Sequence, residues 1–194
     1  MCYLNKIEYE IALNDSLSVI RGCAKCGKKT RFINTKKFRV NANGNKLDVW
    51  LIYQCENCRH TLNLTIYERQ KVSAISKEEY RCFLSNDEQL AEMYGKNMQF
   101  FRKNKADVDF ERLDYDFVKL HETSSNGGFE GQVEVTIHNP YQLKIRLEKQ
   151  IAGALGLSVS HVKKIMEQGE IKPDKILPQL ISFSAHTSLF HVKE

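Results

Sequence analysis

Two short stretches, Cys23-Ala24-Lys25-Cys26-Gly27 and Cys55-Glu56-Asn57-Cys58, decide how the first part of this chain folds. A tetrahedral Zn²⁺ site takes four soft or borderline ligands, and two turns that each present two thiolates supply them. Gly27 can adopt the positive φ that turns backbone amides towards the sulfurs. The spacing therefore predicts a zinc ribbon with a closed structural Zn²⁺ site, whose ligands are Cys23, Cys26, Cys55 and Cys58.

Two disulfides or a redox Cys-x-x-Cys pair are the alternatives for these cysteines. The N-terminus lacks the apolar core of a signal peptide, which disfavours an oxidising compartment and therefore disulfides. A thioredoxin-like motif would not need the second cysteine pair. No apolar run approaches the roughly 18 residues that span a membrane. We therefore expect a cytoplasmic protein with no membrane partner.

Alternating hydrophobicity and turn residues predict strands around the cysteines. Residues 41–45 (Asn-Ala-Asn-Gly-Asn) have the chemistry of a hairpin turn. Residues 47–53, which include the single tryptophan, Trp50, are expected to form a small ribbon core. Because so small a core buries little apolar area, the metal would supply much of the folding free energy. The predicted strands span residues 6–13, 30–40, 46–54 and 61–67.

The pattern becomes helical from Ser76, which is followed by Glu78 and Glu79 as in an N-cap with an acidic first turn. A second helix is predicted to start at residues 86–89. Its core-facing stripe would be Leu90, Met93, Tyr94, Met98 and Phe101. Strands are predicted over residues 113–120 and 132–137, with a linker at residues 124–128 between them.

Residues 145–171 predict a pair of short helices. Gly156 is well placed to end the first helix, and Ser158 to cap the second. The apolar stripes are Leu147, Ile151 and Leu155 in the first helix and Val162, Ile165 and Met166 in the second. Two helices joined by a tight turn are typical of nucleic-acid-binding hairpins.

The runs Arg146-Leu147-Glu148-Lys149 and Leu157-Ser158-Val159-Ser160-His161-Val162-Lys163-Lys164-Ile165-Met166-Glu167-Gln168-Gly169 resemble the S4-type RNA-binding module of a ribosomal protein, pseudouridine synthases and ribosome-rescue factors. The resemblance departs at Val159, where an arginine is common, and at residues 171–174, which replace the usual turn after the glycine. It implies an S4-like fold that binds structured RNA. The implied RNA-facing residues are Arg146, Ser160, His161, Lys163 and Lys164.

Two other interpretations of the hairpin stay open. Residues 152–158 followed by Val162 also suit a DNA-binding helix-turn-helix. Such a motif needs base-reading side chains near the start of its second helix. Ser160 and His161 lie there, but Gln, Asn and Arg do not. The third interpretation is a plain packing hairpin whose lysines form a solvated face.

The distribution of charge indicates a polyanionic partner. Residues 21–60 hold ten Lys or Arg against two acids, and residues 144–172 hold six against three. Residues 78–122 reverse the balance, with eleven acids and seven bases. Two basic ends favour a polyanion such as nucleic acid. Because the S4-type resemblance implies structured RNA, we expect rRNA or tRNA rather than DNA, and a ribosome-associated role. The predicted phosphate contacts of the ribbon are Lys28, Lys29, Arg31, Lys36, Lys37 and Arg39.

Most of the chain also resembles an uncharacterised family of bacterial zinc-ribbon proteins. Residues 38–44 (Phe-Arg-Val-Asn-Ala-Asn-Gly) and 47–53 (Leu-Asp-Val-Trp-Leu-Ile-Tyr) carry this resemblance, together with the basic turn and the S4-like tail. That family has no established activity, so the resemblance implies an architecture and not a reaction.

The sequence predicts a protein that is not an enzyme. Four cysteine ligands leave no open position on a zinc ion. The six histidines show no His-Glu-x-x-His spacing, and no glycine-rich loop carries the lysine of a phosphate-binding loop. The alternating carboxylates of residues 107–116 are interpreted as an acidic solvent-facing edge. A protein-interaction module with a purely structural zinc is the contrasting hypothesis, and oligomeric state is not predicted.

Together these elements predict an α+β protein of three consecutive parts. Residues 1–70 would form the antiparallel zinc-ribbon domain, including the N-terminal strand. Residues 71–138 would form a central α/β segment. Residues 139–194 would form the S4-like helical hairpin and the C-terminal strands that flank it.

Overall fold

The chain forms two compact units in the computed structural model, which describes residues 5–123 and 131–190. The knuckle unit comprises residues 15–114, and the hairpin unit comprises the described parts of residues 1–14 and 115–194. The α+β class is confirmed, with nine strands and five α-helices in the described ranges. None of these helices is long and apolar enough to cross a membrane.

The strands are β1 (Asn5–Leu13), β2 (Val19–Cys23), β3 (Lys28–Asn43), β4 (Lys46–Cys55), β5 (Thr61–Lys71), β6 (Tyr115–Thr123), β7 (Gln132–His138), β8 (Ile171–Leu177) and β9 (Leu180–His186). The helices are α1 (Lys77–Ser85), α2 (Glu88–Gly95), α3 (Met98–Lys103), α4 (Leu147–Leu155) and α5 (Val159–Glu167). The predicted linker at residues 124–128 lies outside the described residues.

An antiparallel sheet in the order β2-β3-β4-β5 is the frame of the knuckle unit. The predicted strands 30–40, 46–54 and 61–67 are confirmed inside β3, β4 and β5. Gly44 turns the chain between β3 and β4 with a φ of 61°. The register between β3 and β4 shifts between Asn34 and Lys37, so two extra residues bulge out of β3.

One face of this sheet packs against helices α1 to α3. Alternation in β4 turns Leu47, Val49, Leu51 and Tyr53 inwards, where they are fully buried. Trp50 points to the opposite face and is only half-buried, so its predicted place in the core is wrong. A strand's side chains alternate between faces, which excludes Trp50 from the face of its neighbours. The helices add Phe83, Phe100 and Phe101, so the core is larger than a ribbon alone would provide.

The helical segment begins as predicted and then divides. Ser76 caps α1 by accepting the Glu79 N–H at 3.1 Å. The predicted second helix is two helices, because the Asn97 side chain accepts the N–H groups of Gln99 and Phe100 and starts α3. The break also overturns the continuous apolar stripe, since Met93 is 58% exposed.

The hairpin unit is built on a five-stranded sheet in the order β6-β1-β7-β9-β8. Strand β1 pairs antiparallel with β6 and parallel with β7. The predicted grouping of the N-terminal strand with the ribbon therefore differs from the structure, as do boundaries at residues 70 and 138. Local alternation identifies β1 as a strand, but its partners lie more than a hundred residues away and leave no local signal.

Helices α4 and α5 confirm the predicted pair. Gly156 ends α4 with a φ of 67°, and the Ser158 hydroxyl accepts the His161 N–H at 3.2 Å to cap α5. Val162 and Ile165 are buried on the inner side of α5. The strands β8 and β9 follow as an antiparallel hairpin.

Helix α4 approaches strand β6 closely because residue 153 has no side chain. A Cβ atom on Gly153 would lie 2.0 Å from a ring carbon of Phe117. We expect Gly153→Ala to lower the free energy of unfolding by about 1–2 kcal/mol, because overpacking outweighs the helix propensity gained with alanine. Denaturant unfolding measures this change. The double variant Gly153→Ala/Phe117→Ala should show favourable coupling between the two sites, and a more stable Gly153→Ala protein would contradict the packing argument.

Candidate metal centre and basic surfaces

Two turns of the same design carry the four cysteines. The Gly27 N–H donates to the Cys23 carbonyl at 2.9 Å, and the Arg59 N–H donates to the Cys55 carbonyl at 3.0 Å. Gly27 and Arg59, each four residues after the first cysteine of its turn, have φ values of 67° and 62°. The left-handed conformation expected of Gly27 is therefore repeated in the second turn by an arginine.

Strand register brings the two turns together. Cys23 ends β2 and pairs with Lys28 across the β2–β3 hairpin, while Cys55 ends β4 and pairs with Phe32 of β3. The Glu56 N–H also donates to the Arg31 carbonyl at 2.9 Å. Since β3 lies between β2 and β4, both turns project from the same end of the sheet.

The sulfur positions fit a tetrahedral metal ion and not disulfides. All four Sγ atoms lie within 4.8 Å of one another. The Cys23–Cys58 and Cys26–Cys55 Sγ pairs are 3.5 and 3.8 Å apart. Sulfurs about 2.3 Å from one central ion lie about 3.8 Å from each other, whereas a disulfide bond is about 2.05 Å long. The cluster is thus compatible with a metal ion such as Zn²⁺.

The surroundings of the cluster act in opposite directions on the charge of two of its sulfurs. Cys23 and Cys55 are buried, and the Thr30 hydroxyl lies 3.2 Å from the Cys55 Sγ. This hydrogen bond lowers the pKa of Cys55 to about 6. A hydrogen bond with the Cys58 sulfur, followed by desolvation, raises the pKa of Cys26 to about 12, because both favour the neutral thiol. A cation would replace the protons that hold the remaining thiols neutral.

Two of the six predicted cations of the ribbon are engaged within the knuckle unit. The Arg31 Nε lies 3.0 Å from the Asp109 Oδ2, and the two side chains are 17% and 8% exposed. The Lys36 Nζ lies 2.7 Å from Glu92 and 3.4 Å from Glu88. The remaining exposed cations are Lys28, Lys29, Lys37 and Arg39.

Asp109 does not face solvent as the predicted acidic edge required. It is buried, and its second carboxylate oxygen accepts the Glu111 N–H at 3.1 Å. The segment around it continues the sheet, because Val108 bridges to Val19 of β2. Asp109 therefore holds this segment against the sheet through Arg31.

The predicted RNA-facing residues of the hairpin are all exposed, four of them on α5 and Arg146 at the N-cap of α4. Val162 and Ile165 point inwards, and Lys163 and Lys164 between them point outwards. No described residue forms an ion pair with a cation of this set. The exposed residues are Arg146, Ser160, His161, Lys163 and Lys164. They belong to the hairpin unit, and the cysteine cluster belongs to the knuckle unit.

Sequence reasoning missed the outward face of the four-stranded sheet. Trp50 and Ile52 lie there beside exposed Arg39 and Lys37. The strict alternation of β4, with Leu51 and Tyr53 pointing inwards, was the signal that could have placed them. Arg59 was also missed, and its position four residues after Cys55, matching Gly27 after Cys23, could have revealed its turn.

One family model, described as "Protein of unknown function (DUF1062)", matches residues 40–176. The matched part contains Cys55, Cys58 and the α4–α5 hairpin, and it begins after Cys23 and Cys26. No curated protein and no solved structure shows significant similarity to the chain. Since the family match covers well over half of the sequence, the chain belongs to the DUF1062 family of proteins of unknown function.

Proposed function

We propose that this protein is a zinc-stabilised RNA-binding protein with no catalytic activity. The observation that carries the proposal is that seven of the predicted contact cations are exposed and form no ion pair with a described acid: Lys28, Lys29, Lys37 and Arg39 in one unit, and Arg146, Lys163 and Lys164 in the other. Cations that form no ion pair within the protein are available to contact the phosphate groups of a nucleic acid.

The zinc ion has a structural role in this proposal. Four thiolates complete a tetrahedral coordination shell and leave no position for water or substrate. The sulfur spacing of the cluster supports such a closed site. The ion would hold the ends of β2 and β4 together and thereby fix Lys28 and Lys29 beside it.

Structured RNA is favoured over duplex DNA by the chemistry of the hairpin. The exposed positions at the start of α5 are Ser160 and His161, followed by Lys163 and Lys164. Arg, Asn and Gln side chains, which make many of the bidentate contacts to DNA bases, are absent from these positions. RNA helices are bound largely through shape, phosphate and 2′-hydroxyl contacts, which hydroxyl and ammonium groups can make.

We expect RNA binding that weakens steeply with salt. If about six phosphates are neutralised, the slope of log affinity against log salt should be roughly −4 to −5. The variant Lys163→Glu/Lys164→Glu should bind at least about tenfold more weakly, with a slope shallower by roughly 1.5. Filter binding of total tRNA and rRNA fragments at several salt concentrations measures both quantities.

A matched charge change separates local contact from overall charge. Lys172 and Lys175 are exposed on β8, so Lys172→Glu/Lys175→Glu alters the net charge by the same amount. This control should lose much less affinity than the α5 variant. Equal losses of RNA affinity in the two double variants would show that the hairpin is not the contact surface. Preference for duplex DNA would support a helix-turn-helix regulator, and no binding at low salt would support a protein-interaction module.

A further inference from the structure

The outward face of the four-stranded sheet, which we term the open face, is formed by three rows of residues across β3, β4 and β5. Paired residues point to the same side of a sheet, so each row is a contiguous strip. The rows are Arg39–Trp50–Thr65, Lys37–Ile52–Asn63 and Ile33–Gln54–Thr61. The opposite face carries the buried residues that pack against the helices.

Apolar surface runs along the middle of the open face. Ile33 is 37% exposed, while Trp50 and Ile52 are half-buried between polar neighbours. Leu51 and Tyr53, one residue further along β4 in each case, are fully buried on the other side. Trp50 therefore offers part of its ring to an outside partner and is not needed to fill the core.

A hollow of about 350 Å³ adjoins this apolar strip. It is lined by residues of the bulge, of β4 and of the second cysteine turn, among them Lys37, Ile52, Gln54, Arg59 and Thr61. Its volume lies in the range of small-ligand pockets, so one planar group of a partner could enter it. Thr35, one of the two extra residues of β3 between Asn34 and Lys37, forms part of its wall.

The charge of the open face selects the class of partner. Lys37 and Arg39 are exposed in the rows, and exposed Arg59 lines the hollow. None of the nine residues in the rows is acidic. An apolar strip bordered by cations suits a chain that alternates flat apolar rings with negative charges, which is the chemistry of an unpaired nucleic-acid strand.

We propose that the open face binds unpaired RNA nucleotides, with Trp50 as the stacking surface for a base and Lys37, Arg39 and Arg59 as phosphate contacts. The hollow receives the neighbouring base. This inference rests on the proposed RNA-binding function and adds the single-stranded class of substrate and the surface that takes it. It gives Trp50 and Arg59 roles in RNA binding, although neither residue is among the phosphate contacts predicted from sequence.

Intrinsic fluorescence tests the proposal in the unmodified protein. Trp50 is the single tryptophan of the chain, so all tryptophan emission comes from the open face. Titration with oligouridine, excited at the red edge to avoid tyrosine, should quench this emission and shield it from acrylamide. An RNA duplex of equal length should give little quenching, because its bases are already stacked.

Variants test the energetic role of the ring. Trp50→Ala should weaken oligouridine binding by roughly 5- to 150-fold, whereas Trp50→Phe should keep most of the affinity. Lys37→Gln/Arg39→Gln should weaken binding and make the salt dependence shallower. Lys46→Gln/Lys71→Gln, at exposed positions of the same sheet beyond the rows, is the matched control. Fluorescence anisotropy of a labelled oligouridine measures affinity, and circular dichroism checks that each variant is folded.

The outcomes separate this inference from the proposed function. Binding of structured RNA without Trp50 quenching by oligouridine would overturn the open-face proposal and leave the RNA-binding function standing. Absence of binding to any RNA would overturn both. Quenching that persists at high salt, or that an apolar peptide reproduces, would also overturn the proposal, because it would identify a protein-docking surface.

Discussion

Removing the Zn²⁺ ion that we propose for the cysteine cluster should loosen the end of the four-stranded sheet that carries the two cysteine turns, while the five-stranded sheet keeps its structure. The four cysteines all lie in the knuckle unit, and the hairpin unit has its own buried core, with Val133, Val135 and Phe183 fully enclosed. Loss of the ion should therefore act on one unit.

The expected loss is large. Structural zinc contributes roughly 10–16 kcal/mol to the folding of zinc-finger peptides, in which the metal replaces a hydrophobic core. The knuckle unit buries Phe32, Tyr53, Phe83 and Phe101 as well, so part of its stability is independent of the ion. We expect the free energy of unfolding of this unit to fall by on the order of 5 kcal/mol.

Two measurements check this expectation. Atomic absorption should find about one zinc per chain, given a single four-thiolate site. Hydrogen exchange after chelation should show faster exchange in β2, the start of β3 and the end of β4, with β7 and β9 unchanged. The variant Cys58→Ser should lose the zinc, whereas Cys82→Ser, which changes a cysteine outside the cluster, should retain it. Zinc retention by Cys58→Ser, or uniform faster exchange, would contradict the structural role.

The substitution Arg31→Ala should destabilise the knuckle unit by about 3 kcal/mol. Asp109 would remain buried without the guanidinium that lies 3.0 Å from it. Breaking a buried ion pair costs about 3–5 kcal/mol, because the remaining charge is desolvated and unpaired. Arg31 keeps 17% exposure, so water can reach the site and the lower end of this range applies.

The same substitution distinguishes a structural arginine from an RNA contact. Arg31→Ala should reduce stability in urea unfolding, with little effect on RNA affinity under conditions in which the protein is folded. Lys36→Ala removes another paired cation of β3, but one at the surface, and should change stability far less. The double variant Arg31→Met/Asp109→Leu should recover much of the loss, since it leaves no buried charge. Lower RNA affinity in folded Arg31→Ala would indicate that Arg31 contacts RNA, as the sequence predicted.

Local chemistry made much of this fold predictable from sequence. The Cys-x-x-Cys turns, the Ser76 and Ser158 caps and the Gly156 stop each depend on neighbours within a few residues, and the structure contains all of them. The break between α2 and α3 was readable too, because Asn97 is a good N-cap that follows Gly95. The apolar residues of the predicted stripe continue past Asn97, and this pattern favoured a single uninterrupted helix.

Other features depend on residues far apart in the chain. Asp109 lies 78 residues from Arg31, and no local pattern indicates that these two pair. Strand β1 could be recognised by its alternation, yet its position between β6 and β7 depends on strands more than a hundred residues away in the sequence. The number of cations in the ribbon is known from the sequence. Which of these cations form ion pairs with acidic side chains is not.

The sequence by itself determined the four-cysteine centre, most strands and helices, and the excess of positive charge at both ends of the chain. The tertiary structure decided the two-unit organisation and the pairing of Arg31 and Lys36 with acids. The physical reason is the separation along the chain of the residues that interact. Ligand spacing, caps and turns are properties of a few consecutive residues, whereas strand neighbours and ion-pair partners are selected when distant segments pack around a shared core.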